Sequence, residues 1–125
     1  MVTLSVQVIE SMVEWIENNL TENPTLTELS GYIGYSPYYC SAKFHETVGI
    51  TMKQYIAKRK LSLAAIEVKN TNFRFLDIAL KYGFSSQEAF TRAFVKAYEC
   101  TPFQYRKRPT VIKLYLKPSH LPVLR

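Results

Sequence analysis

The chain has 125 residues, 47% of them hydrophobic, with 16 Lys and Arg against 10 acids and a net charge of +6. That length suits one compact unit or two small helical subdomains, and excludes separate large domains. The basic balance points to a polyanionic partner. No charged-then-apolar leader and no apolar run of about 18 residues is present, which argues against export and membrane spanning and for the cytoplasm.

The charge is unevenly placed. Residues 1–24 hold Glu10, Glu14, Glu17 and Glu22 and no Lys or Arg, so they carry −4 and the rest of the chain carries +10. Cys40 and Cys100 are the only cysteines, with no CxxC pair and no nearby His cluster, so neither a zinc site nor a disulfide framework is indicated.

In chain order, Val6, Ile9, Met12, Val13, Ile16 and Leu20 recur at helical spacing, and Glu10, Glu14 and Glu17 fall elsewhere, which predicts an amphipathic packing helix. Trp15 beside that stripe reads as a packing aromatic. Thr25 with Glu28 forms a capping box for a short helix bearing Leu26, Leu29 and Ile33, and Gly34 ends it in the left-handed conformation. Ser36 and Pro37 open the next helix as cap and first residue, and it runs to Gly49. Thr51 and Gln54 form another capping box, starting a helix that continues to about Lys69. Its apolar residues cover more than one stripe, as in a helix packed on two sides, and its length is roughly 28 Å. Successive major-groove faces are ~34 Å apart, so such a linker suits two modules on one duplex.

The second half repeats the first. Gly34-Tyr35-Ser36 is echoed by Gly83-Phe84-Ser85-Ser86, Phe44 by Phe94, and Thr51-Met52-Lys53-Gln54-Tyr55 by Thr101-Pro102-Phe103-Gln104-Tyr105. The second turn holds one extra residue. Asn70-Thr71-Asn72 breaks the linker; Leu76, Ile78, Ala79 and Tyr82 predict a short helix ending at Gly83; Ser85 or Ser86 caps the next, with Glu88 three residues beyond Ser85. Thr101-Pro102 starts a final turn of helix. From Val111 to Lys117 the pattern becomes that of a strand or extended tail, packed on the helical body or opening a further domain. Helix, glycine turn and second helix is the helix-turn-helix pattern, in which the second helix enters a DNA groove.

The outward faces of the two second helices carry the functional argument. At 100° per residue, Phe90, Ala93, Phe94 and Ala97 share one arc, Glu88, Thr91, Arg92 and Val95 the opposite one, with Gln87 at the flank. Gln pairs with adenine N6/N7, Arg with guanine O6/N7, Glu with cytosine N4, and Thr with base or phosphate. Lys96 at the edge of the arc suits a phosphate. In the first module Cys40, Phe44, Thr47 and Val48 point inward, and Tyr38, Ser41, Ala42 and His45 point away. Ala42 offers only a methyl. His45 reads equally as a phosphate donor or a solvated histidine, and His120 receives no role. Lys58-Arg59-Lys60 reads either as a phosphate contact, with Arg59 best placed for it, or as a solvated face. The aromatics read mostly as core, since no sheet is evident on which they would bind single strands.

The segment Ala79-Leu80-Lys81-Tyr82-Gly83-Phe84-Ser85-Ser86-Gln87-Glu88-Ala89-Phe90-Thr91-Arg92-Ala93-Phe94, with Thr101-Pro102 and Tyr105-Arg106, resembles the C-terminal signature of the AraC/XylS transcription regulators. Ile33-Gly34-Tyr35-Ser36, Phe44, Gly49, Tyr55-Ile56 and Arg59-Lys60-Leu61 are similar to the family's first module, and the pattern resembles the group of MarA, SoxS and Rob. The resemblance implies an all-α monomer of seven helices. Two helix-turn-helix subdomains, 25–49 and 73–98, are joined by a linker helix, 51–69, within a DNA-binding domain of residues 5–108; residues 109–125 form a strand-like or extended tail. It implies base reading by Tyr38, Ser41 and Ala42 and by Gln87, Glu88, Thr91 and Arg92, on promoter DNA, with recruitment of RNA polymerase. MarA-like relatives have Trp, Gln and Arg where this chain has Tyr38, Ser41 and Ala42, so its target differs. The family's glycine two residues before Thr-Pro is kept as Gly49 but is Glu99 in the second copy, where a differently shaped turn is expected.

No nucleophile with a positioned base, no paired metal ligands and no phosphate loop is present, so neither an enzyme nor a cofactor is expected. The alternatives are the DNA-binding fragment of a larger ligand-sensing regulator and a protein-interaction module with little DNA contact.

Overall fold

The structure, a computed structural model, describes residues 4–118. Seven α-helices and no strand occur among them: α1 (Leu4–Asn18), α2 (Leu26–Ile33), α3 (Pro37–Val48), α4 (Met52–Asn70), α5 (Phe75–Lys81), α6 (Gln87–Tyr98) and α7 (Pro102–Lys107). Two compact units form, one of the residues up to Ala57 and one of Lys58–Leu116. α4 contributes its start to the first and the rest to the second.

In the first unit the predicted stripe of α1 is buried throughout, with Leu20 carried by a short 3-10 turn, Leu20–Glu22, after the helix ends. Leu29, Cys40, Phe44, Met52 and Tyr55 supply the buried residues of the other helices. Phe44 meets Tyr55 edge to face at 5.5 Å, and the Tyr55 hydroxyl donates to Glu17 Oε2 at 2.7 Å, so this large ring is buried with its polar end satisfied. Trp15 stacks on Tyr32 at 6.0 Å, in keeping with its packing role.

Both local signals around α2 and α3 hold. Thr25 and Glu28 exchange capping-box hydrogen bonds, and Gly34 closes α2 at φ 87. The Ser36 side chain accepts from the Tyr39 amide, and Gly49 closes α3 at φ 94. The Ser30 hydroxyl donates to the Tyr35 carbonyl at 2.6 Å and pins the turn between the two helices.

The second unit centres on Ala64, Ala65 and Val68 of α4, Ile78, Ala79 and Tyr82 around α5, Phe90 and Phe94 of α6, and Tyr105 of α7. Phe94 is its hub, touching the rings of Phe90, Tyr98 and Tyr105 at 5.8, 4.8 and 5.8 Å. Tyr82 donates a short hydrogen bond to Glu67, and Lys81 pairs with the same carboxylate at 2.9 Å, tying the end of α5 to α4. Burial, with the Glu67 carboxylate beside it, pushes the Tyr82 hydroxyl well above the ordinary tyrosine range. Arg106 lays its guanidinium 4.3 Å from the Phe75 ring and donates to the Val68 carbonyl, which fixes α7 against α4 and α5.

Four expectations are corrected or settled between their alternatives here. The cap of α6 is Ser86, which accepts from Ala89, so Ser85 and Glu88 form no capping box; the extra residue in the second turn moves the cap along by one. Arg59 is buried, with Nη1 donating to the Tyr115 carbonyl at 2.7 Å, and is therefore no phosphate contact. Residues 110–118 form an extended tail on the helical body and pair with no strand among the described residues, while the rest of the expected tail, 119–125, lies outside them. The tail's alternation is real, Ile112 and Leu114 lying against the second core while Val111 and Lys113 are exposed, and Ser62 Oγ accepts from the Tyr115 amide at 2.7 Å.

The fourth concerns Glu99. It adopts φ 62, ψ 23, and its amide donates to the Val95 carbonyl as that of Gly49 does to His45, so the second turn keeps the glycine-type cap. A side chain in this left-handed conformation costs roughly 1–2 kcal/mol. Glu99→Gly is therefore expected to raise stability by about 1 kcal/mol in urea denaturation with an unchanged m-value; destabilisation would show that the side chain is held by something stronger than the strain.

Candidate nucleic-acid interface

α3 is built to show one face. Pro37 at its first position and the Ser36 cap fix where it begins, and with Cys40, Phe44 and Thr47 turned into the core, the opposite stripe must face outward. Tyr38, Ser41, Ala42 and His45 are all exposed, Tyr38 to 84%, and together with Glu46 they line one open concavity of about 490 Å³. The predicted residues are thus brought together on one surface. Val48, expected inward, is half-buried.

α6 repeats the arrangement. The Ser86 cap sets its start, Phe90 and Phe94 anchor it, and Gln87, Glu88, Thr91 and Arg92 line a second open concavity of about 560 Å³. Glu88 in the first turn lies where the helix dipole favours an anion. Gln87, Glu88 and Arg92 are exposed, whereas Thr91 is half-buried and has less reach than a fully outward residue. Lys96 is exposed, one turn beyond Arg92. Ala97, expected on the buried arc, is exposed, because Tyr98 continues the packed side through its ring contact with Phe94.

Chemically, the second face offers an amide, a carboxylate, a hydroxyl and a guanidinium, which between them can address every hydrogen-bonding edge of the major groove. The first offers a phenol, a hydroxyl, a methyl and an imidazole, with Glu46 at its C-terminal end. Glu46 is the lining residue that the helical periodicity left out of the outward face. It lies four positions after Ala42, and counting the outward arc one turn further along the helix would have included it. It pairs with Lys43 at 3.6 Å.

Among the described residues no helix is long and apolar enough to cross a membrane. The sequence model of the family described as "Helix-turn-helix domain" matches residues 29–108. The chain is 39% identical to the Transposon Tn10 TetD protein of Escherichia coli over 100 residues, covering 80% of this chain and 72% of that one. It is 35% identical to the HTH-type transcriptional activator AarP of Providencia stuartii over 103 residues, 82% of this chain and 76% of the relative. The fold matches a crystal structure of a transcriptional regulator with an AraC-type DNA-binding domain from Chromobacterium violaceum with a TM-score of 0.75, at 22% identity, covering 83% of this chain and 96% of that one. With two glycine-turned helix pairs, two outward polar faces and this sequence likeness, the chain belongs to the AraC/XylS family of helix-turn-helix, DNA-binding transcription regulators, which are not enzymes, and within it resembles the MarA, SoxS and Rob group.

Proposed function

We propose that the protein is a sequence-specific activator that reads promoter DNA with both α3 and α6 and recruits RNA polymerase, acting as a monomer in the cytoplasm. The DNA-binding domain is residues 5–108, with Tyr38, Ser41, Ala42 and His45 on one reading face and Gln87, Glu88, Thr91, Arg92 and Lys96 on the other. The observation that carries this reading is the pair of outward concavities, each lined by groups that fit major-groove edges. The activator role is supported by the likeness to AarP, a transcriptional activator to which the chain is 35% identical.

Within the second face, Arg92 is the base reader and Lys96 a phosphate contact. Arg92→Ala is expected to weaken binding to the preferred duplex by about 1–3 kcal/mol and to leave nonspecific duplex nearly unaffected, because a bidentate guanine contact is lost. Lys96→Ala should weaken both alike. Equilibrium titrations on the two duplexes decide the assignment: equal loss on both for Arg92→Ala would contradict it. In a reporter with the bound element upstream of a weak promoter, expression should rise with the protein, and a fall would overturn the activator reading.

A further inference from the structure

The first reading face has a shape that its shortest residues create. Ser41 and Ala42 form a low centre, with Tyr38 at one end of the concavity and His45 and Glu46 at the other. Glu46 follows Tyr38 by eight residues, roughly 12 Å along the helix axis, which at 3.4 Å per step is between three and four base pairs. A carboxylate is an unusual group to present to a polyanion. It repels phosphates and the guanine O6 and N7 acceptors, and it accepts from cytosine N4.

Lys43 meets that carboxylate through one oxygen and does not saturate it. The contact is 3.6 Å, at i,i+3 spacing, with the Glu46 side chain 58% exposed. An ionised carboxylate has two oxygens and about four acceptor positions, so an end-on lysine leaves most of them available. Building on the proposed DNA-reading role of α3, we infer that Glu46 is a specificity-determining residue: it selects a base pair whose cytosine amino group faces this end of α3, three or four positions from the pair addressed by Tyr38. The acid thereby restricts the target by rejection as well as by contact.

Selection of bound sequences from a random duplex pool tests this with the wild type, Glu46→Gln, Lys43→Gln and, for an exposed acid on α1 outside the concavity, Glu14→Gln. The wild type should enrich cytosine at one position of the block belonging to α3. Glu46→Gln should lose that preference by at least about fivefold while the remaining positions persist, because a glutamine both donates and accepts and no longer rejects guanine. Glu14→Gln and Lys43→Gln should keep it, and unchanged far-UV circular dichroism confirms the fold of each. An unchanged base profile for Glu46→Gln, or an equal loss in Lys43→Gln, would overturn the inference. A wild type that enriches no block for α3 would overturn the reading role of the helix itself, and Glu46's part with it, so the two failures are distinguishable.

Discussion

Raising the salt from about 50 to 200 mM is expected to lower affinity for duplex DNA by on the order of 10³-fold. Neutralising a phosphate releases its condensed counterion, and about 6 such contacts give a log-log slope near roughly −5. The chain carries +10 beyond residue 24, and the structure shows which of those charges can be offered. Arg59 is withdrawn, being buried against the Tyr115 carbonyl, and Arg106 is taken up by Val68 and Phe75. Lys53, Lys58, Lys69, Arg92, Lys96, Lys107 and Arg108 remain exposed, enough for the slope expected. Fluorescence anisotropy across a salt series measures it. A flat response would remove DNA as the partner and favour a protein-interaction module.

Phe94→Ala is expected to destabilise the protein by about 3–5 kcal/mol. The side chain is fully buried and three other rings lie against it, so the truncation loses transfer free energy and leaves a cavity that aromatic neighbours close poorly. A domain of this size has about 5–15 kcal/mol in total, so the loss is a large share. The midpoint of thermal unfolding should fall by more than about 10 °C. A shift corresponding to less than about 1 kcal/mol would mean that Phe94 is not the hub of the second core. Because α6 is held by Phe90 and Phe94, DNA binding near the midpoint should fail with it.

Most of the local structure was legible because its causes are local. Thr25 with Glu28, Ser36 ahead of Pro37 and Thr51 with Gln54 form the expected caps, and Thr101-Pro102 starts the last helix as expected, since each cap bond reaches only three positions along the chain. The two reading faces followed from helical periodicity around Phe44 and Phe94. What was not legible depended on distant partners. The burial of Arg59 requires Tyr115, 56 residues away, and the placement of the tail requires Ser62. Glu99 misled for another reason: a local preference for glycine suggested a new turn, but the packing on either side kept the left-handed cap and imposed the strain on a glutamate. Ser85 and Glu88 had the right spacing for a capping box, and the one-residue longer turn set Ser86 as the cap instead.

Whether two helix faces of this chain read sequence is decided by selection from a random duplex pool with the wild type, Arg92→Ala and Ala42→Arg. The wild type should enrich two separate blocks of bases. Arg92→Ala should relax one base pair in one block, and Ala42→Arg should change the preferred bases in the other, since that position faces outward with only a methyl to offer. A single enriched block, or two substitutions that alter the same block, would contradict reading by both faces.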